Sequence, residues 1–235
     1  MIVAIAPVSA LAAKAATTTI PIVFELGSDP VKDGLVASFA RPGGNITGVT
    51  FFANLLAAKR IELLHDIVPS ASVVGLLLNP KNANAELESS EAQAAARALD
   101  LRFALVRAAT ETEIDAAFAE LAQQRVTALL VAGDAFLSMC RGQIAALALR
   151  HGIATGYAGR ESVEAGGLVS YGANRPDASR QCGLYVGRVL KGEKPGDLPV
   201  VQPTKFELVI NLKAAKALGV ALPPGVLAIA DEVIE

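Results

Sequence analysis

Apolar residues in this chain come as short unbroken runs, alternating with stretches in which they recur every three or four positions. Val73–Leu78 (VVGLLL) is apolar throughout, the pattern of a strand buried on both faces of a parallel sheet. Ile2–Ile5, Ile20–Phe24, Arg102–Val106, Ala128–Val131, Ile153–Tyr157, Leu168–Tyr171 and Phe206–Asn211 read as further strands, and Ile46–Phe52 as an extended stretch. Between them the period is helical. An Ala-rich helix is expected from about Ser9 to Ala16, and Lys59–Val68 sets Ile61, Leu64 and Val68 on one face before Pro69 stops it. Asn84 can cap a helix running to about Leu99. Thr110 and Glu113 form a capping box ahead of the inward-facing Ile114, Phe118 and Leu121. Leu137–His151 reads as one helix ended by Gly152. A helix opening at Pro176 carries the stripe Ala178, Cys182, Tyr185, Val186 and Val189, and Lys213–Leu218 is a last one before Gly219.

This alternation dictates an α/β fold, with parallel sheets, helices on both faces and right-handed crossovers. The unbroken unit runs from Val73 to Tyr157. Two segments interrupt the rhythm, Gly43–Phe52 and the Pro-rich Gly192–Thr204, and both are placed as connections between two lobes.

Composition narrows the function classes. Of 235 residues 52% are hydrophobic and 19% charged, enough apolar material for a buried core. Twenty-one Lys and Arg against 23 Asp and Glu leave a net charge of −2 with no basic block, which argues against a nucleic-acid partner. The apolar runs are too short to span a membrane. Ile2–Ala13 superficially resembles a secretory leader, but no Lys or Arg precedes it, so a strand and a helix are expected there. Cys140 and Cys182 lack metal or disulfide spacing and sit at apolar helical positions, so both read as buried thiols. Two histidines, His65 and His151, give no basis for a metal site.

Nucleotide, P-loop, zinc-protease and serine-hydrolase motifs are absent, so no cofactor is expected. Polar residues do gather after the strands, at the edge where open α/β sheets bind ligands. Ser28 and Asp29 follow Phe24, Asn79 and Asn82 follow Leu78, Asp134 follows Val131, and Arg160 and Glu161 follow Tyr157. Thr47 lies on the first connecting segment and Tyr171 at the second. Such residues also make ordinary turns and caps. Converging on one edge, they suit a small zwitterionic or polar ligand: a carboxylate for an ammonium, and hydroxyls and backbone N–H groups for a carboxylate.

Several runs carry a resemblance. They are Asp29-Pro30-Val31, Arg41-Pro42-Gly43-Gly44-Asn45-Ile46-Thr47-Gly48-Val49, Leu78-Asn79-Pro80, Val163–Leu168, Ser170-Tyr171-Gly172, Leu190–Pro195 and Pro203–Asn211. Together they resemble ABC-transporter substrate-binding proteins of the tryptophan/phenylalanine-binder-like family, from about Leu11 to Glu235. The resemblance implies a type I periplasmic-binding-protein fold of two Rossmann-like lobes closing on a small-molecule ligand. Residues 1–48 with 171–201 would form the first lobe, and 49–170 with 202–235 the second. It implies a membrane permease of an ABC importer as partner and a periplasmic or extracellular location. Family members carry an export signal and two further βα units ahead of the strand that Ile2–Ile5 represents. The first lobe is therefore expected to be incomplete, with an exposed edge that invites a homodimer or local disorder. In this frame Ser28 and Thr47 would take an anionic group, Asn79 and Tyr171 would orient the ligand, and Asp134 and Glu161 would take a cationic or hydroxyl group. Phe51, Phe52 and Phe136 are the aromatic candidates, each also suited to a core.

Two other classes stay open at this point. A carboxylate enzyme using Asp134 or Glu161 would show turnover. A ligand-sensing effector domain would need a fused output module.

Overall fold

The computed structural model describes residues 1–51, 56–202 and 205–235; Phe52, Pro203 and Thr204 lie outside them. In chain order the elements are β1 (Ile2–Ile5), α1 (Pro7–Ala16), β2 (Ile22–Leu26), β3 (Ile46–Thr50), α2 (Ala57–Ile67), β4 (Val73–Leu78) and α3 (Ala85–Ala98). Then come β5 (Arg102–Arg107), α4 (Glu111–Gln123), β6 (Ala128–Val131), α5 (Ala135–Met139), α6 (Arg141–His151), β7 (Ala154–Tyr157) and α7 (Arg160–Glu164). Last are β8 (Val169–Ala173), α8 (Arg175–Leu190), β9 (Phe206–Asn211), α9 (Leu212–Leu218), α10 (Pro224–Ala228) and β10 (Glu232–Ile234). They fall into two compact units, Met1–Ala53 with Ala173–Phe206, and Asn54–Gly172 with Glu207–Glu235.

The first unit is a parallel sheet of order β1-β2-β3. Alternation along β2 divides its side chains between two faces. Ile22, Phe24 and Leu26 pack with Ala4, Ala10 and Ile46 beneath α1, while Val23 joins Val49, Ala178, Cys182 and Tyr185 beneath α8. Both faces of β2 are therefore covered. β1 is an edge on which Val3 and Ile5 stay 49% and 62% exposed.

The second unit is a seven-stranded sheet of order β10-β9-β8-β7-β6-β4-β5. β4 is buried along its whole length, as its unbroken apolar run requires. Ile61, Leu64, Ile114, Phe118, Leu121 and Ile144 seal the faces from α2, α4 and α6. Thr110 caps α4 by accepting from Glu113 N at 3.3 Å, and the Glu113 carboxylate closes back on Ala109 N at 2.6 Å. Gly152 ends α6 in the left-handed conformation, φ 66°.

Three local expectations are corrected. Leu137–His151 is two helices, because Asp134 starts α5 at Ala135 and the backbone turns at Cys140 (φ −87°, ψ 10°) before α6. Asn84 precedes α3 without a side-chain cap; its own N–H instead donates to Asn82 Oδ1 at 2.9 Å. The short elements α7, α10 and β10 were not expected from periodicity.

Candidate functional site

The chain enters the second sheet at β4, places β5 on one side of it and β6 on the other. Connections leaving two neighbouring strands in opposite directions open a crevice at their carboxyl ends. Asn79 follows β4 and Gly133-Asp134 follow β6, so these residues stand at that switch point.

Their side chains form one network. Asn79 Nδ2 donates to Asp134 Oδ1 at 3.1 Å, and Asn82 Nδ2 donates to Asp134 Oδ2 at 3.1 Å and to the Gly133 carbonyl at 3.2 Å. Leu137 N donates to Asp134 Oδ1 at 3.0 Å, making Asp134 the N-cap of α5. The amide oxygens are also engaged: Asn79 Oδ1 accepts from Lys81 N at 3.0 Å and Asn82 Oδ1 from Asn84 N. Three of the eight predicted residues are thus brought together, with a half-buried carboxylate at their centre. A carboxylate has about four acceptor directions; three are filled here, which leaves room for one further donor.

Two functional candidates were missed by sequence reasoning. Arg60 of α2 and Glu88 of α3 are each 1% exposed and lie behind the same loops. Arg60 Nε donates to the Tyr171 carbonyl at 2.7 Å, and its Nη1 stands 3.9 Å from Glu88 Oε1. That Glu88 oxygen accepts from Gly133 N at 3.2 Å. Burial pushes the Arg60 guanidinium down to about 10, against the opposing pull of Glu88 and Glu91. It pushes the Glu88 carboxyl up, against the opposing Arg60 charge and the Gly133 N–H. A signal did exist in the sequence. Arg60 falls on the buried stripe Ala57, Ile61, Leu64, Ile67, and Glu88 on Ala85, Ala92, Ala96.

Tyr171 is half-buried within β8 and belongs to the second unit, because Gly156 and Tyr157 of β7 pair with Val169 and Ser170. Glu161 is exposed on α7, its carboxylate folded over Gly159. Its neighbour Arg160 is held by Glu164 at 2.9 Å, Glu232 at 2.8 Å and Glu207 at 3.5 Å, which ties α7 to β9 and β10.

In the first unit the predicted residues serve their own loops. Ser28 is buried and its hydroxyl donates to Asp33 Oδ2 at 2.5 Å. Asp29 Oδ1 accepts from Val31 N at 2.9 Å and Lys32 N at 3.3 Å, an Asx turn. Thr47 is 0% exposed and donates to the Leu198 carbonyl at 2.7 Å, so its hydroxyl is engaged inside the first unit. The less committed groups at this edge are Phe51, with the Arg175 guanidinium 5.3 Å from its ring centre, and Glu25, which accepts from Ser179 Oγ at 3.0 and 3.1 Å. Phe136 packs partly buried against the core of the second unit.

A shallow hollow of about 410 Å³, lined by Gln93, Arg97, Asp100, Leu101, Arg102 and Phe103, lies at the other end of the second sheet, where β5 begins. It is remote from the switch-point loops in the fold and has no share in this site. Among the described residues no cluster of His, Cys, Asp and Glu is arranged to hold a metal ion, and no helix is long and apolar enough to cross a membrane.

Comparison with known proteins gives a consistent picture. A family model described as ABC transporter substrate binding protein matches residues 1–234. A curated tyrosine-binding protein of Clostridioides difficile (strain R20291) is 28% identical over 218 residues, covering 93% of this chain. The chain spans only 62% of that relative's length. The ABC domain from Streptococcus pneumonia, solved in complex with L-Trp, superposes with a TM-score of 0.87 at 28% identity, covering 99% of this chain and 78% of the other. A conserved domain protein from Vibrio cholerae O1 biovar El Tor does so with a TM-score of 0.88 at 29% identity and the same coverage. The parallel α/β units and these neighbours identify the type I periplasmic-binding-protein fold.

Proposed function

This chain belongs to the ABC transporter substrate binding protein family, and on that premise we propose that it captures an amino acid with an aromatic side chain and delivers it to the permease of an importer. The observation that carries the reading is the Asn79–Asn82–Asp134 network at the switch point of the second sheet. A carboxylate held by two amides and a helix-start N–H, with one acceptor direction left, suits an ammonium group. The tyrosine-binding relative and the L-Trp complex support the ligand class.

In this reading Asp134 accepts the ligand ammonium, and Asn79 and Asn82 hold it in place. Tyr171, half-buried within β8 just beyond its pairing with β7, orients the ligand, and Glu161 supplies a second acceptor on the same sheet edge. Ser28 and Asp29 shape the loop after β2 in the first unit, whose backbone N–H groups suit an anionic group. Capture then works by differential affinity for a closed state, which the permease reads from the outer side of the membrane. No reaction is required of the protein, in keeping with a family of binding proteins.

The test is calorimetric titration of the chain with L-tryptophan, L-tyrosine and L-phenylalanine, beside their N-acetyl derivatives. Saturable one-to-one binding of the free amino acids, lost on acetylation of the amine, is the expected result. Equal binding of the acetylated compounds would remove the ammonium role of Asp134.

A further inference from the structure

Arg60 and Glu88 occupy positions where an apolar residue would ordinarily sit. As a stability device the pair is poor: two charges are taken out of water for a separation of 3.9 Å, and apolar replacements of similar volume often stabilise such sites. What the pair does reach is backbone. Through Nε it holds the Tyr171 carbonyl in β8, and through Glu88 Oε1 it holds the Gly133 N–H in the loop after β6. β6 and β8 are not neighbours, since β7 lies between them, so the sheet's own hydrogen bonds do not link these two points directly. Gly133 adjoins Asp134, and the Gly133 carbonyl accepts from Asn82, so one contact chain runs from β8 through α2 and α3 to the loops after β6 and β4.

We propose that Arg60 and Glu88 are positioning residues: a buried pair that fixes the Gly133-Asp134 loop and the Tyr171 backbone of β8 in one arrangement, so that ligand meets a preformed site. The proposal rests on the binding reading above for its consequence, but the loop fixation itself is independent of any ligand. Affinity gained by preorganisation is lost when the loop must be ordered on binding. The directions in which burial moves both groups agree with a pair whose contribution lies in geometry rather than in Coulomb attraction.

The test replaces both charges with apolar groups of similar size, Arg60→Met with Glu88→Leu, in the full chain. Three quantities are read: melting temperature, amide hydrogen exchange without ligand, and affinity for L-tryptophan and L-tyrosine. The expected result is a folded variant with a melting temperature near or above the parent's. Exchange at Gly133 should be at least tenfold faster, protection in β4 unchanged, and affinity at least tenfold weaker. A folded variant with parental exchange at Gly133 and parental affinity would overturn the proposal. Should the double variant not fold, Glu88→Met keeps the volume while removing the acceptor of the Gly133 N–H. Faster exchange confined to Gly133 and its neighbours then supports the proposal, and parental exchange there overturns it. If the parent binds neither amino acid, the ligand reading fails by itself, while the exchange comparison still decides whether the pair fixes the loop.

Discussion

The Thr47 hydroxyl donates to the carbonyl oxygen of Leu198 at 2.7 Å, across 151 positions of chain. The bond pins β3 to the segment that follows α8 and so joins the two chain portions of the first unit. Thr47→Val keeps the shape and leaves a buried carbonyl unsatisfied, at about 1–3 kcal/mol. Denaturant unfolding should record that loss, while affinity for amino acids stays within about twofold. A large loss of affinity without loss of stability would return Thr47 to the ligand.

Asp134 should show the opposite division. Asp134→Ala removes the N-cap of α5, worth about 1 kcal/mol, together with the anchor for Asn79 and Asn82. Calorimetry should show amino-acid affinity falling by much more than that capping loss, since the proposed ammonium acceptor goes with it.

The strands were legible because a fully covered parallel strand needs an unbroken apolar run, as Val73–Leu78 and Ala128–Val131 show. Short elements were not: α7 and α10 have five residues each and β10 has three, too few for a period to register. The candidate site was half legible as a cluster. Asn79, Asn82 and Asp134 stand out as amides and a carboxylate placed directly after apolar runs. Arg60 and Glu88 were passed over because charge is read as exposure, although the helical stripe places both inward. The hydroxyls of Ser28 and Thr47 stand near strand ends too, where such groups also satisfy backbone and side chains of their own unit, as both do here.

Two glycines should respond in opposite directions to the same change. A methyl group at Gly48 would fall on the Phe24 carbonyl oxygen and ring, so Gly48→Ala should destabilise by about 3 kcal/mol or block folding. Gly142 in α6 has open space around it, so Gly142→Ala should stabilise by about 0.5–1 kcal/mol. Thermal melts of both variants check the contrast.

Burial, assisted by nearby Glu25, raises the Cys182 thiol from the ordinary 9.0 to about 11. The folded state therefore holds this proton more tightly than the unfolded state does. The resulting stability is fully present below pH 9 and is lost as pH rises through about 11. Iodoacetamide at pH 8 should spare Cys182 in the folded protein and label it after unfolding, and Cys182→Ala should show a smaller fall in stability between pH 9 and 11. Rapid native labelling would contradict the burial.

Ligand-induced stabilisation tests the central claim most directly. A ligand bound only by the folded state and supplied at a hundredfold its dissociation constant adds about 2.7 kcal/mol, a shift of roughly 5–10 °C for a chain of this size. Thermal melts with L-tryptophan or L-tyrosine should rise by that order in the parent and clearly less in Asp134→Ala. Melting temperatures that no free amino acid moves at millimolar concentration, or that move equally in both proteins, would contradict capture of an amino acid at the Asp134 edge.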